Sequence, residues 1–264
     1  MIVLNELDWA SGMIRSGTLE KPVPQALTAI AKYYFHEGYS KHEVREKLER
    51  DLIRSDPAAS AVDWADTLDR VTKYAQKHRP IMLDSVRITK PELDTIAKLG
   101  SVQQKRLAFT LLCLAKFRYA VNPETNYWVS TPDTDIMKMA NIKTSVRRQS
   151  QLFADLREAG LIRFSRKVDS LSVQVLFCSD GEVEMEITDF RSLGYQYLYH
   201  YDRSRFYTCQ NCGLVVRIDA GKQNGRPKKY CEDCAYRVHI QQSVGKVMKR
   251  SLREAEVGSA AKIT

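Results

Sequence analysis

No stretch of this 264-residue chain is long and apolar enough to cross a bilayer: roughly 18 apolar residues in succession are needed, and the best candidate, "LAFTLLCLAKF", is shorter and interrupted by Lys116. The opening "MIVLNELDW" carries charge early and lacks the basic start, long apolar run and small-residue cleavage site of a signal peptide, so a cytoplasmic location is expected. Glycine and proline are scarce, at 12 and 8 residues, while hydrophobic residues make up 44%. That balance points to a globular chain with a core in one large or two to three small domains. No G-x-x-x-x-G-K-[ST] loop occurs, which argues against NTP-driven activity. The H-x-E and P-C-x-x-C pair of a zinc deaminase is also missing.

Four of the six cysteines lie in "CQNCGLVVRIDAGKQNGRPKKYCEDC". Cys209 and Cys212 form one C-x2-C pair and Cys231 and Cys234 another, with 18 residues between them. Two residues between thiolates allow a tight knuckle to aim both sulfurs at one ion, and two knuckles complete a tetrahedron, so structural zinc is expected. Gly213 suits the left-handed turn that closes the first knuckle. "LVVRI" is expected to hairpin back on "RFYT", "KKY" to form a short strand into the second knuckle, and a helix to run from Ala235 to about Leu252. Disulfides are disfavoured in a cytoplasmic chain. A thioredoxin-like redox pair needs a neighbouring βαβ pattern that is absent, and four thiolates leave no open position for catalytic water. His239, five residues beyond Cys234, is the other nearby donor and is expected on the helix surface. Cys113 and Cys178 lie in apolar runs and are read as small buried hydrophobes.

The net charge of +9 is unevenly distributed. Residues 1–100 are neutral, 101–178 carry +6, 179–201 carry −4 and 202–264 carry +7. Two basic blocks favour a polyanionic partner, with a solvated basic face as the bland alternative. Within the first block, residues 101–120 have the apolar recurrence of an amphipathic core helix. Tyr127-Trp128-Val129 suits a short strand, Thr131-Pro132-Asp133 opens a helix through Met139, and residues 143–160 form another with Thr144 or Ser145 as N-cap. "LIRFSRK" and "LSVQVLF" then alternate as a hairpin. This order is that of a winged helix, whose last helix enters a DNA major groove. That helix would present Lys143, Thr144, Ser145, Arg147, Arg148, Gln149 and Gln151 to base edges, and the wing would present Arg163, Arg166 and Lys167 to phosphate.

The first hundred residues are expected to form a small helical domain suited to docking or homo-oligomerisation. It contains a helical hairpin broken at Gly38 with a Ser40/Glu43 capping box, a third helix from Asp63 to His78 with Trp64, Leu68, Val71 and Tyr74 inside, and a fourth opened by Thr89, Pro91 and Glu92. His36, His42 and His78 lack metal-ligand spacing. "EVEMEIT" alternates strictly and is expected to join the edge of the wing sheet. Five tyrosines, Tyr195, Tyr197, Tyr199, Tyr201 and Tyr207, lie beside Arg203 and Arg205; they suit either base stacking or a domain junction.

"IAKYYFHEGYSKHEVREKL", followed by the expected winged helix and by "GRPKKYCEDCAYRVHIQQ", resembles DNA-binding proteins of phages and integrated elements of Gram-positive bacteria. The helical phrase is also similar to segments attached to mobile-element primases and replication proteins, although no polymerase or ATPase signature accompanies it. The resulting expectation is a mainly helical α+β protein divided into a helical domain (1–100), a winged helix with an extra acidic strand (101–201) and a zinc ribbon with a basic trailing helix (202–264). It would bind double-stranded DNA without enzymatic activity, in replication initiation or transcription regulation. Lys228, Lys229, Arg237, Lys246, Lys249, Arg250 and Arg253 would extend its phosphate footprint. A protein-interaction module that inhibits a host nucleic-acid-handling or defence complex is the alternative, and RNA is the third candidate partner.

Overall fold

The computed structural model describes residues 2–165, 172–218, 228–240 and 242–243. The fold is mixed α+β and mainly helical, as expected. Its first hydrophobic cluster is built from α1 (Glu6–Ser16), α2 (Val23–His36), α3 (Lys41–Ser55) and α4 (Ala61–Lys77). The Ser40/Glu43 capping box forms at the start of α3, each side chain bonding the other's backbone N–H. Helix α1 was not expected; Asn5 caps it by accepting from the Asp8 amide. Leu27 and Ile30 of α2, Leu48 of α3 and Leu68 of α4 are fully buried, each contributing about 1.5–3 kcal/mol of transfer free energy. In α4 the inner stripe is Leu68, Val71, Thr72 and Ala75. Trp64 is half-buried, and Tyr74, expected inside, is 49% exposed and stacks on His78 at 3.9 Å. Packing against α2 and α3 centres the stripe on Leu68, Thr72 and Ala75, and the 3.6-residue period turns position 74 well away from that centre.

The second cluster takes in Leu4 from the N-terminal segment and then residues from Val86 to Tyr197. It gathers β1 (Val86–Thr89), α5 (Lys90–Ala97), α6 (Val102–Val121), β2 (Trp128–Val129), α7 (Asp133–Met139), α8 (Val146–Glu158), β3 (Ile162–Phe164), β4 (Val173–Val175), β5 (Val183–Ile187) and α9 (Leu193–Tyr201). Helix α6 is buried on every side over residues 106–115, so it is a central helix rather than an amphipathic one. Strand β4 pairs antiparallel with both β2 and β3, placing Gln174 opposite Trp128 and Arg163.

The acidic strand does not join this sheet. β5 pairs antiparallel with β1, with Val86 opposite Ile187 and Ile88 opposite Met185. β1 offers an edge whose Val86 and Ile88 are buried, so that pairing there lets Ile187 join the second core. Ile187 is buried with them, while Glu184 and Glu186 approach His200 and Arg87 at 3.9 Å.

Two polar features sit inside this core. Glu92 is fully buried; it receives the Thr89 and Ser179 amides and the Lys116 ammonium, whose Nζ lies 2.8 Å from one carboxylate oxygen. Arg106, 8% exposed, donates to the carbonyls of Ala140 and Asn141. At this point α9 crosses so closely that a Cβ on Gly194 would collide with the Ala140 carbonyl. Gly194→Ala is therefore expected to destabilise the fold by about 1–3 kcal/mol, read by denaturant titration. An unchanged midpoint would show that α9 can shift without cost.

Candidate metal centre

The last described segment opens with β6 (Phe206–Thr208), which pairs antiparallel with β7 (Val215–Arg217) as the "RFYT" and "LVVRI" runs predict. Between them the chain turns back through Cys209 and Cys212. The Cys209 amide donates to the Leu214 carbonyl and the Gly213 amide to the Cys209 carbonyl, both at 2.9 Å. Gly213 adopts φ 71°, the left-handed conformation that the closing turn requires. Residues 228–230 are not a strand, in contrast to the expectation for "KKY". Instead they are held by single bonds, Gln210 N–H to the Lys229 carbonyl at 2.9 Å and the Tyr207 hydroxyl to the Tyr230 carbonyl at 3.0 Å. Residues 232–240 are helical, starting before the expected Ala235, and the Ala235 amide bonds the Cys231 carbonyl at 2.8 Å.

These elements bring the sulfurs of Cys209, Cys212, Cys231 and Cys234 within 4.8 Å of one another, and this group could hold a metal ion. Cys212 and Cys231 have a sulfur separation of 3.7 Å. A tetrahedral ion with bonds of about 2.3 Å to sulfur requires about 3.8 Å between ligands, so the donor set fits. All four thiols are free of disulfides, and Cys209, Cys231 and Cys234 are buried. Desolvation acts upward on Cys209, yet the amides of Cys231, Cys212 and Asn211 outweigh it and bring the thiol down to about 6. Burial, together with the neighbouring sulfurs, pushes Cys231 up to about 12. The backbone thus favours the thiolate at Cys209, while burial disfavours it at Cys231. Asn211 Nδ2 donates to Cys234 Sγ at 3.3 Å. His239 is exposed and lies outside the sulfur cluster.

The ribbon is fastened to the main body by contacts that local sequence patterns do not reveal. Arg191, paired with Asp189 at 2.7 Å, donates to the Cys212 carbonyl at 2.8 Å. Tyr195 and Tyr199 of α9 pack on Phe206, with ring centroids 5.6 and 6.4 Å apart, and Tyr197 packs on Phe109 at 5.2 Å. Tyr195 and Tyr199 therefore serve the ribbon junction, while Tyr197 holds α9 against α6. The only sequence signal for it is the aromatic density of residues 195–207.

Helix α8 begins one residue after Ser145, whose hydroxyl accepts from the Arg148 amide. Lys143, Arg147, Arg148 and Gln151 are exposed, Thr144 and Gln149 half-buried, and Leu152, Phe153 and Leu156 face the core. Gln149 bonds the Thr144 carbonyl at 3.2 Å and Gln151 bonds Asp155 at 2.7 Å. On β3, Arg163 is exposed with its guanidinium 5.8 Å from the centre of the Trp128 ring. Lys228 and Lys229 are exposed beside the second knuckle. Arg237 lines a recess with Asp8 and Glu20 beside α1. Arg166, Lys167, Lys246, Lys249, Arg250 and Arg253 lie outside the described residues. Among the described residues no helix is long and apolar enough to cross a membrane. The chain matches no protein family, curated protein or solved structure, and its own residues carry the functional reading.

Proposed function

We propose that this is a non-enzymatic double-stranded DNA-binding protein of a phage or integrated element, acting in replication initiation or transcription regulation. In this reading α6, α7 and α8 with the β2-β4-β3 sheet work as a winged helix, and the four thiolates hold a structural zinc ion. The observation that carries the DNA reading is the division of α8: Leu152, Phe153 and Leu156 anchor it, while Arg147, Arg148 and Gln151 at its N-terminal end face outward. Among the described residues Lys143 and Arg147 are in no ion pair. The carboxylate near Arg148 is Asp155, already bonded by Gln104 and Gln151. A helix end with arginines uncommitted to intramolecular partners suits base edges in a major groove, and Arg163 on the adjoining sheet suits phosphate.

Selection of bound fragments from random duplex DNA tests the reading. The wild-type chain is expected to enrich a motif and R147A/R148A to lose it, each lost base contact costing about 1–3 kcal/mol of discrimination. Absence of any enriched motif, with a stoichiometric host protein retained in a nuclease-treated pull-down, would turn the reading to the protein-interaction alternative. Preference for RNA over duplex at fixed salt would turn it to RNA.

A further inference from the structure

A cleft of about 1030 Å³ runs between the ribbon and the second core. Among the described residues four cations line it: Lys143 from the approach to α8, Arg205 and Arg217 from the ribbon hairpin, and Lys228 from the approach to the second knuckle. They outnumber the two carboxylates on its wall, Glu232 and Asp233. Arg205 is paired with Asp202 at 3.4 Å, but among the described residues Lys143, Arg217 and Lys228 are in no ion pair. Behind the lining residue Tyr195 lies Arg106, whose guanidinium is 5.5 Å from the ring centre. Arg106 has carbonyls rather than a carboxylate as hydrogen-bond partners. Its pKa is lowered by burial foremost; Tyr195 opposes this, and the positive charge of Arg217 adds to the lowering. Two guanidinium groups that repel each other, set beside a concave wall with further lysines, leave a positive potential that an anion would relieve.

We propose that this cleft holds the phosphodiester backbone of the DNA strand flanking the segment read by α8. The position of Lys143 selects this occupant over a free phosphate. It lies two residues before Ser145, the N-cap of α8, and also lines the cleft, so a strand leaving the N-terminal end of α8 would meet Arg217 and Lys228 on the same wall. The cysteine ribbon then acts as one jaw of a clamp, and the inference rests on the DNA-binding reading given above. Phosphate contacts of this kind add affinity without base preference and steepen salt dependence by about 0.9 per phosphate.

The test compares K143A/R217A/K228A with R147A/R148A on the selected duplex, and on one of the same length with scrambled sequence. Metal content and circular dichroism verify that both variants are folded. The cleft variant is expected to weaken binding on both duplexes alike, to flatten the log–log salt slope by about 2–3, and to shorten the hydroxyl-radical footprint on the flank beside α8. R147A/R148A should instead lose the preference for the selected sequence. If the cleft variant keeps affinity, slope and footprint while R147A/R148A loses preference, the cleft proposal fails and the DNA reading stands. If R147A/R148A changes nothing while the cleft variant loses slope, the groove role of α8 fails and the cleft survives. Inhibition of the wild-type chain by millimolar inorganic phosphate at constant ionic strength would identify a small-anion site and overturn the strand assignment.

Discussion

Removal of the metal is expected to unfold the β6–β7 ribbon and release the helix at residues 232–240 from it, while both helical clusters stay folded. The physical reason is the composition of the ribbon's interior. Its own cluster is buried Cys209, Cys231 and Cys234 with Cys212, Leu214, Val216 and Tyr230 packed around them, and the strands add only buried Phe206 and Val215. Two short strands with so few apolar side chains are not stable alone. If the four thiolates hold structural zinc as proposed, its bonds would supply the missing free energy, with apparent values of about 10–16 kcal/mol in small domains. The second cluster, centred on Phe109, Leu111 and Leu112 of α6, has no such dependence. Hydrogen exchange in the presence of a chelator should therefore lose protection at residues 206–218 and 228–240 and retain it in α2, α6 and α8. Cys212→Ser should act in the same direction by taking one ligand away. A ribbon that keeps its protection after the metal has been shown to leave would overturn the structural role. Elemental analysis of the purified chain separates zinc from iron, the other ion suited to four thiolates.

Glu92→Leu is expected to cost about 3–5 kcal/mol, the largest loss from any single substitution considered. The carboxylate is fully buried and receives the Lys116 ammonium together with the amides of Thr89 and Ser179. Leucine would leave a partly buried ammonium without its counter-charge and two amides without an acceptor, and each loss carries a desolvation penalty. Lys116→Met leaves the carboxylate with its amide donors and should cost less. Combining both substitutions should recover part of the sum, because the two charges disappear together. Glu92→Gln, which retains an acceptor, should fall between. Urea titration of the four variants gives the coupling directly. A change below about 1 kcal/mol for Glu92→Leu would mean that water relaxes into the site and that the pair does not hold α5, α6 and the segment before β5 together.

Features decided within a few residues were legible in the sequence. The Ser40/Glu43 box, the Ser145 cap of α8, the glycine turn at Gly213 and the β6–β7 hairpin all depend on neighbours close along the chain. Their determinants are hydrogen-bond donors, steric freedom and alternation. The "KKY" segment was misread because alternation is meaningless over three residues whose bonding is settled by Tyr207 and Gln210. Tyr74 was misread because two interlocking stripes are compatible with the pattern in α4, and packing against α2 and α3 selects one.

The sequence alone determined the positions of the four clustered cysteines, the helix starts and the polar N-terminal end of α8, since each is a local preference expressed at fixed spacing. Only the tertiary structure decided that β5 pairs with β1 across almost a hundred residues, that α6 is surrounded, that Arg191 ties the first knuckle to the body, and that Lys143, Arg217 and Lys228 face one cleft. Those outcomes depend on which surfaces remain unburied once every other element has been placed. That competition is global, and no window of neighbouring residues contains it.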